Sequence, residues 1–225
     1  MGQYHYTIRP FSTNRLLIQV AAPPSVELLA WLLAKTKKIK AAVAAEVRHT
    51  YNELLISTAG SLQKDRIDFH KILDQDEILH LPEATTHHIP VCYTPRWAPD
   101  LTEFAKHKKL SVSDIIQLHT KPDYLVYFLG FLPGFPYLDG LDERLTLPRK
   151  RAPSQKIPAG SVAIGGSQTG IYPQESPGGW HVIGRTPLTI FDPKAAAPSF
   201  FSAGDRITFY AITGDEYTDI LKRDD

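Results

Sequence analysis

A chain of 225 residues can bury one large core or two smaller ones, and 43% hydrophobic against 22% charged residues excludes a disordered class. Formal net charge is +1. Ten Lys and Arg face nine Asp and Glu up to residue 88 and fifteen face fifteen beyond it, a balance that argues against nucleic acid or an anionic membrane as a partner. The single cysteine, Cys92, excludes an internal disulfide and a thiolate zinc site; with no leader pattern and no run of about 18 apolar residues, a soluble cytoplasmic protein is expected.

In chain order, the apolar run at 15–20 predicts a strand. Residues 24–35 predict a helix with Val26, Leu29 and Leu33 on one stripe, broadened by Leu28 and Leu32, and Lys35, Lys37 and Lys38 close it at the carbonyl end of the dipole. Residues 42–51 and 53–58 predict a strand pair turned near Asn52, and a second helix is expected from Asp65 toward His80. Such alternation predicts a small α+β domain over residues 1–86.

A strand at 89–93 then opens a second domain, residues 87–225. Two short helices follow. The first turns Leu101, Phe104 and Ala105 inward; the second is signalled by Ser111 and Asp114 at capping-box spacing and carries Ile115, Ile116 and Leu118. Residues 124–129, rich in aromatic and branched side chains, predict a buried strand. Twelve of the fourteen glycines lie between Gly130 and Gly214, so only the second domain is dense in turns. Apolar runs at 161–164, 181–183, 188–191 and 206–211, separated by Gly, Pro and Asp, predict an antiparallel barrel or sandwich.

The stretch GGSQTGIYPQESPGGW at 165–180 invites three readings. As a phosphate loop it has G-x-x-x-x-G spacing, but Ile171 and Tyr172 stand where Lys and Ser or Thr are needed, and Pro173 and Pro177 preclude the following helix. As a nucleophile elbow it fails because Ser167 has Thr169 at plus two. Turns remain. Among nine histidines, adjacent His87 and His88 would point to opposite faces of a strand, and His70 and His80 do not share a helical face, so no metal site is expected. His119 reads as a half-buried histidine at a helix end.

Arg144, Arg149, Lys150, Arg151 and Lys156 form a basic span free of acidic residues, which fits either a solvated loop or an anion or partner site. Phe131, Phe135 and Tyr137 form one aromatic group. Gln168, Tyr172, Glu175, Trp180, His181 and Arg185 form a second, polar-headed group, and together they suit a small-molecule pocket or a peptide groove. Glu175 could act as a general base or pair with Arg185.

The segments YLVYFLGFLPGFPYL (124–138), IPAGSVAIGGSQTGIYP (157–173) and SPGGWHVIGRTP (176–187) closely resemble the 5-oxoprolinase B-subunit family, also called the allophanate hydrolase subunit 1 or sporulation-kinase inhibitor family. That resemblance implies an α+β N-terminal domain followed by a mainly-β cyclophilin-like barrel domain. It also implies a non-autonomous component that works with the C and A subunits of 5-oxoprolinase to hydrolyse 5-oxoproline to glutamate with ATP, and with Mg, bound at the assembled complex. Some members are described instead as inhibitors of a sensor histidine kinase, the alternative reading. Carried over, the resemblance assigns catalytic roles to Glu175, Arg185 and His119. It also matches Arg151, Gln168, Tyr172 and Thr186 as binding residues, with Gly130, Phe135, Gly178, Gly179 and Trp180 shaping the pocket; Arg149 is expected to join Arg151 in neutralising a nucleotide. The chain departs from the family pattern at TPRW (94–97), where members often carry glycines.

Overall fold

The computed structural model describes residues 4–60, 68–75, 81 and 83–224, and the chain divides into two compact units, Met1–Glu83 and Ala84–Asp225. In the first unit, β1 (Tyr6–Ser12), β2 (Arg15–Val20), β3 (Ala45–His49) and β4 (Glu53–Thr58) form an antiparallel sheet in the order β1-β2-β4-β3. Helix α1 (Val26–Ala42) starts at Ser25, whose hydroxyl accepts from the Leu28 N–H at 3.1 Å. Its buried Leu28, Leu29, Trp31, Leu32 and Ile39 join Ile18, Val20, Leu54 and Ile56 in the core.

Helix α1 outruns its expected end. Lysine and alanine are good helix formers, so 37–42 propagate the helix until Val43 turns extended at φ −146, and the next strand starts at Ala45 rather than 42. Of the second expected helix, α2 (Phe69–Leu73) is capped by Asp68; Asp65 and His80 lie outside the described residues.

The second unit is a closed seven-stranded barrel. Strands β5 (Thr86–Cys92), β6 (Tyr124–Leu129), β7 (Pro136–Asp139), β9 (Ser161–Gly165), β10 (Gln168–Ile171), β12 (His181–Arg185) and β13 (Arg206–Ile212) close in the order β10-β7-β6-β13-β5-β12-β9. Only β5 and β13 run parallel, and closure removes free sheet edges. Strands β8 (Ser154–Ile157) and β11 (Ser176–Gly178) form a separate ribbon.

Two helices pack on the barrel core. α3 (Leu101–Lys108) contributes Leu101, Phe104 and Ala105, and α4 (Val112–Thr120) contributes Ile115 and Leu118. The capping box is present as expected, with the Asp114 N–H reaching Ser111 Oγ at 3.0 Å and the Ser111 N–H reaching Asp114 Oδ2 at 3.1 Å. The run at 188–191 forms no strand beyond a single bridge from Phe191 to Ser199. A helix absent from the sequence expectations, α5 (Gly214–Asp224), starts at Thr213, whose Oγ1 and N–H exchange bonds with Glu216. No helix among the described residues is long and apolar enough to cross a membrane.

Candidate functional site

The glycines of 165–180 solve a packing problem. Strand β10 pairs with β7 on one side, Gly170 opposite Tyr137, and with β9 on the other, bringing the two aromatic groups together. A Cβ on Gly165 would stand 2.5 Å from the Trp180 indole, and one on Gly178 would collide with the Tyr172 hydroxyl. Each ring therefore occupies space that a side chain would fill. Gly165→Ala is expected to lower stability by about 1–3 kcal/mol through overpacking. Urea unfolding with Trp emission checks this, and an unchanged midpoint with unchanged emission would contradict the packing argument.

These rings enclose a cleft of about 280 Å³ lined by Phe131, Phe135, Tyr137, Arg149, Pro153, Tyr172, Pro177, Gly178, Gly179 and Trp180. Phe135 is its hub, meeting Tyr172 edge-on at 5.2 Å, Trp180 at 5.4 Å and Tyr137 at 5.0 Å between ring centroids. Such pairs add about 0.5–1.5 kcal/mol each beyond area burial and hold the walls rigid. At the rim, Phe131 has φ 65 inside a three-residue turn closed by Leu132 N–H to Gly130 O at 2.7 Å, yet is 60% exposed. A strained turn that presents an apolar ring to solvent is the kind of feature that clusters at ligand clamps.

The polar side chains of the cleft can each donate a hydrogen bond. Burial pushes the Tyr172 phenol up to about 12, against the pull of the Trp180 backbone N–H that donates to it, and burial raises Tyr137 against the opposing charge of Arg149. Both phenols therefore keep their protons at neutral pH. The Arg149 guanidinium lies 5.9 Å from the Trp180 ring centroid, close enough for a cation–π contact.

A second groove of about 630 Å³ shares Arg149 with the cleft and adds Asp100, Glu103 and His107, then residues 147–152, and His181. Here the basic span sorts itself. Arg144 is held by Asp142 at 2.6 Å and 2.9 Å, Lys150 by Asp100 at 2.6 Å, and Lys156 by Glu175 at 3.3 Å. Arg149 and Arg151 remain, with no carboxylate partner among the described residues. Asp100 anchors this wall, because the oxygen that holds Lys150 also accepts the Val182 N–H at 2.7 Å.

The structure thus brings together Phe135, Arg149, Tyr172, Gly178, Gly179 and Trp180 of the expected binding set, and places Arg151 in the adjoining groove. The other expected residues stand elsewhere. Glu175 is exposed and paired with Lys156 on β8, not with Arg185, because β11 pairs with β8. Arg185 instead donates from Nε to Ala159 O at 2.7 Å. Gln168 opens β10, half-buried, outside both cavities, and Thr186 is buried with its hydroxyl accepting from the Leu188 N–H.

His119 is fully buried rather than half-buried, and it opens to neither cavity. Its Nδ1 meets the Tyr93 hydroxyl at 2.8 Å and its Nε2 meets Thr169 Oγ1 at 3.1 Å, so its role is a polar plug in the core and not an acid or base open to a ligand. The sequence reading missed Asp100, Pro153 and Pro177. Asp100 and Lys150 stand 50 positions apart, and no local spacing reveals such a pair.

Comparison with known proteins agrees with this architecture. The family model described as carboxyltransferase domain, subdomain C and D, matches residues 6–201. The 5-oxoprolinase B subunit of Escherichia coli O157:H7 is 43% identical over 157 residues, which make up 69% of this chain and 72% of that protein. The chain belongs to the 5-oxoprolinase B-subunit family. A second member, from Bacillus subtilis (strain 168), is 50% identical over 129 residues, 57% of this chain, and the match spans about half, 54%, of that relative's length. Among solved structures, TTHA0988 is 32% identical with a TM-score of 0.75, covering 92% of this chain and 41% of that one.

Proposed function

We propose that the chain is the B component of an ATP-dependent 5-oxoprolinase, acting with the A and C subunits and inactive alone. One observation carries the reading: of the basic span, only Arg149 and Arg151 lack a carboxylate partner among the described residues, and Arg149 stands on the wall shared by an aromatic cleft and a wider polar groove. A small lactam acid needs a flat apolar cleft for its ring, a guanidinium for its carboxylate and O–H donors for its amide oxygen; Phe135 and Trp180, Arg149, and Tyr172 and Tyr137 offer these in turn. Nucleotide phosphates would lie in the groove against Arg149 and Arg151. The two carboxylates of the groove are already engaged, Asp100 by Lys150 and Glu103 by Lys106 and His107, so no magnesium ligand is assigned to this chain.

The chemistry explains the need for ATP. A lactam is a poor electrophile; transfer of the γ-phosphoryl group to its oxygen releases ADP and activates the ring carbon. Addition of water and expulsion of the ring amine leave glutamyl phosphate, and a second water releases phosphate and glutamate. Neither cavity holds a carboxylate free to serve as base, since Asp100 is committed to Lys150 and Glu103 faces Lys106 and His107. This supports a catalytic base on a partner subunit. The fold in TTHA0988 accounts for well under half of a longer chain, which fits a module that works beside further polypeptide.

Reconstitution tests the proposal. ADP release is measured for this chain and its cognate A and C subunits, singly and mixed. Release that depends on 5-oxoproline is expected only in the complete mixture, and its absence there would overturn the reading.

A further inference from the structure

The turn TPRW at 94–97 builds a feature outside both cavities. Trp97 follows β5 in a turn closed by its own N–H and that of Ala98 onto Thr94 O, at 2.8 and 2.9 Å. Its indole stacks on Tyr217 of α5 with centroids 4.2 Å apart and planes 27° apart, which fixes the ring. Two guanidiniums approach that indole: Arg96 Cζ lies 4.8 Å from the centroid and Arg185 Cζ lies 5.3 Å from it. Arg185 spends its Nε–H on Ala159 O, which orients the fork and leaves its terminal nitrogens for another acceptor. Neither arginine has a carboxylate partner among the described residues.

Two like charges gathered on one aromatic ring repel each other, and an anion between or beside them relieves the repulsion. The arrangement is open, Arg96 being exposed and Trp97 and Arg185 half-buried, and it belongs to neither cavity. A free metabolite needs most of its surface enclosed, whereas a carboxylate carried on a polypeptide is positioned by its own chain. Trp, Tyr and Arg are also the residue types that dominate binding energy at protein interfaces.

We propose that Arg96, Trp97 and Arg185, backed by Tyr217, form a docking site for an acidic segment of a partner polypeptide, with an Asp or Glu carboxylate accepting from both guanidiniums. The proposal rests on the reading that this chain works in an assembly, but not on which substrate the cleft holds.

The test uses the whole chain and a fluorescein-labelled peptide of alternating Glu and Ala, followed by anisotropy. Saturable binding is expected. It should weaken at least tenfold in Arg96→Glu combined with Arg185→Gln, where glutamine retains a donor for Ala159 O, and should weaken with rising salt. Arg96→Glu alone, at an exposed position, should show most of the loss and guards against misfolding of the double variant, which circular dichroism checks. No saturable binding, or equal binding by both variants and the wild type, would overturn the proposal. Displacement of the peptide by micromolar inorganic phosphate would also overturn it, by marking a small-anion site. Failure of the oxoprolinase reading would appear separately, as loss of 5-oxoproline-dependent ADP release with peptide binding intact.

Discussion

Arg149→Ala is expected to raise the KM for 5-oxoproline in the complete assembly by about 10- to 100-fold while leaving the fold intact. Its guanidinium is exposed, carries no carboxylate partner among the described residues, and touches the core only across the Trp180 ring at 5.9 Å, so its removal leaves no buried charge uncompensated. The loss is that of a charge-assisted hydrogen-bonded pair with the substrate carboxylate, roughly 1.5–3 kcal/mol, and about 1.4 kcal/mol corresponds to tenfold. Arg149→Lys should recover only part of the binding, because an ammonium cannot present the parallel N–H pair that a carboxylate accepts. Since Arg149 also lines the nucleotide-side groove, the KM for ATP should rise too, whereas Arg151→Ala should raise the ATP value alone. Steady-state rates with each substrate varied in turn check this. An unchanged 5-oxoproline KM in Arg149→Ala would remove the carboxylate from the cleft wall.

What was legible in the sequence was local. The Ser111 and Asp114 capping box was readable because its bonds close within four residues, and the same chemistry at Thr213 and Glu216 was available as a signal for α5. The apolar runs of β6, β9 and β12 were readable because these strands are almost continuously buried, and β13 because its first residues alternate between half-buried and buried. Strands of three or four residues such as β7, β8, β10 and β11 are too short to show a period, yet β7 and β11 line the cleft and β10 and β8 pair with them. The aromatic groups could therefore be read as a composition suited to a pocket, while the β7–β10 pairing that faces them could not.

Charge partners misled for the same reason. Glu175 and Arg185 are ten positions apart and a pairing between them was one of two open readings, but the ribbon of β8 and β11 carries Glu175 to Lys156, while β12 carries Arg185 to Trp97. The basic span looked like one feature and resolved into three cations held by carboxylates and two without a carboxylate partner among the described residues, once distant partners such as Asp100 were in place.

Acid is expected to destabilise the barrel unit through His119. The Thr169 hydroxyl spends its hydrogen on Ala163 O at 3.1 Å, so its oxygen must accept the His119 Nε2–H, which leaves Nδ1 bare to accept from the Tyr93 hydroxyl. This neutral tautomer satisfies every partner. Protonation would put an N–H on Nδ1, force the buried Tyr93 hydroxyl to turn its hydrogen away, and leave a charge fully buried in the core. Burial accordingly pulls His119 from the usual 6.5 down to about 3. The folded value lies below the unfolded one, so the neutral histidine's contribution is fully present above pH 6.5 and is lost as pH falls toward 3. Between pH 7 and pH 4 the loss amounts to about 3 kcal/mol, at about 1.4 kcal/mol per pH unit across the window. His119→Gln cannot titrate and keeps one donor and one acceptor. It should start less stable at pH 7 and show a pH dependence shallower than the wild type by that amount. Urea midpoints at pH 7, 5.5 and 4 measure both slopes, and parallel slopes would mean that the buried histidine is not the group that makes the barrel acid-labile.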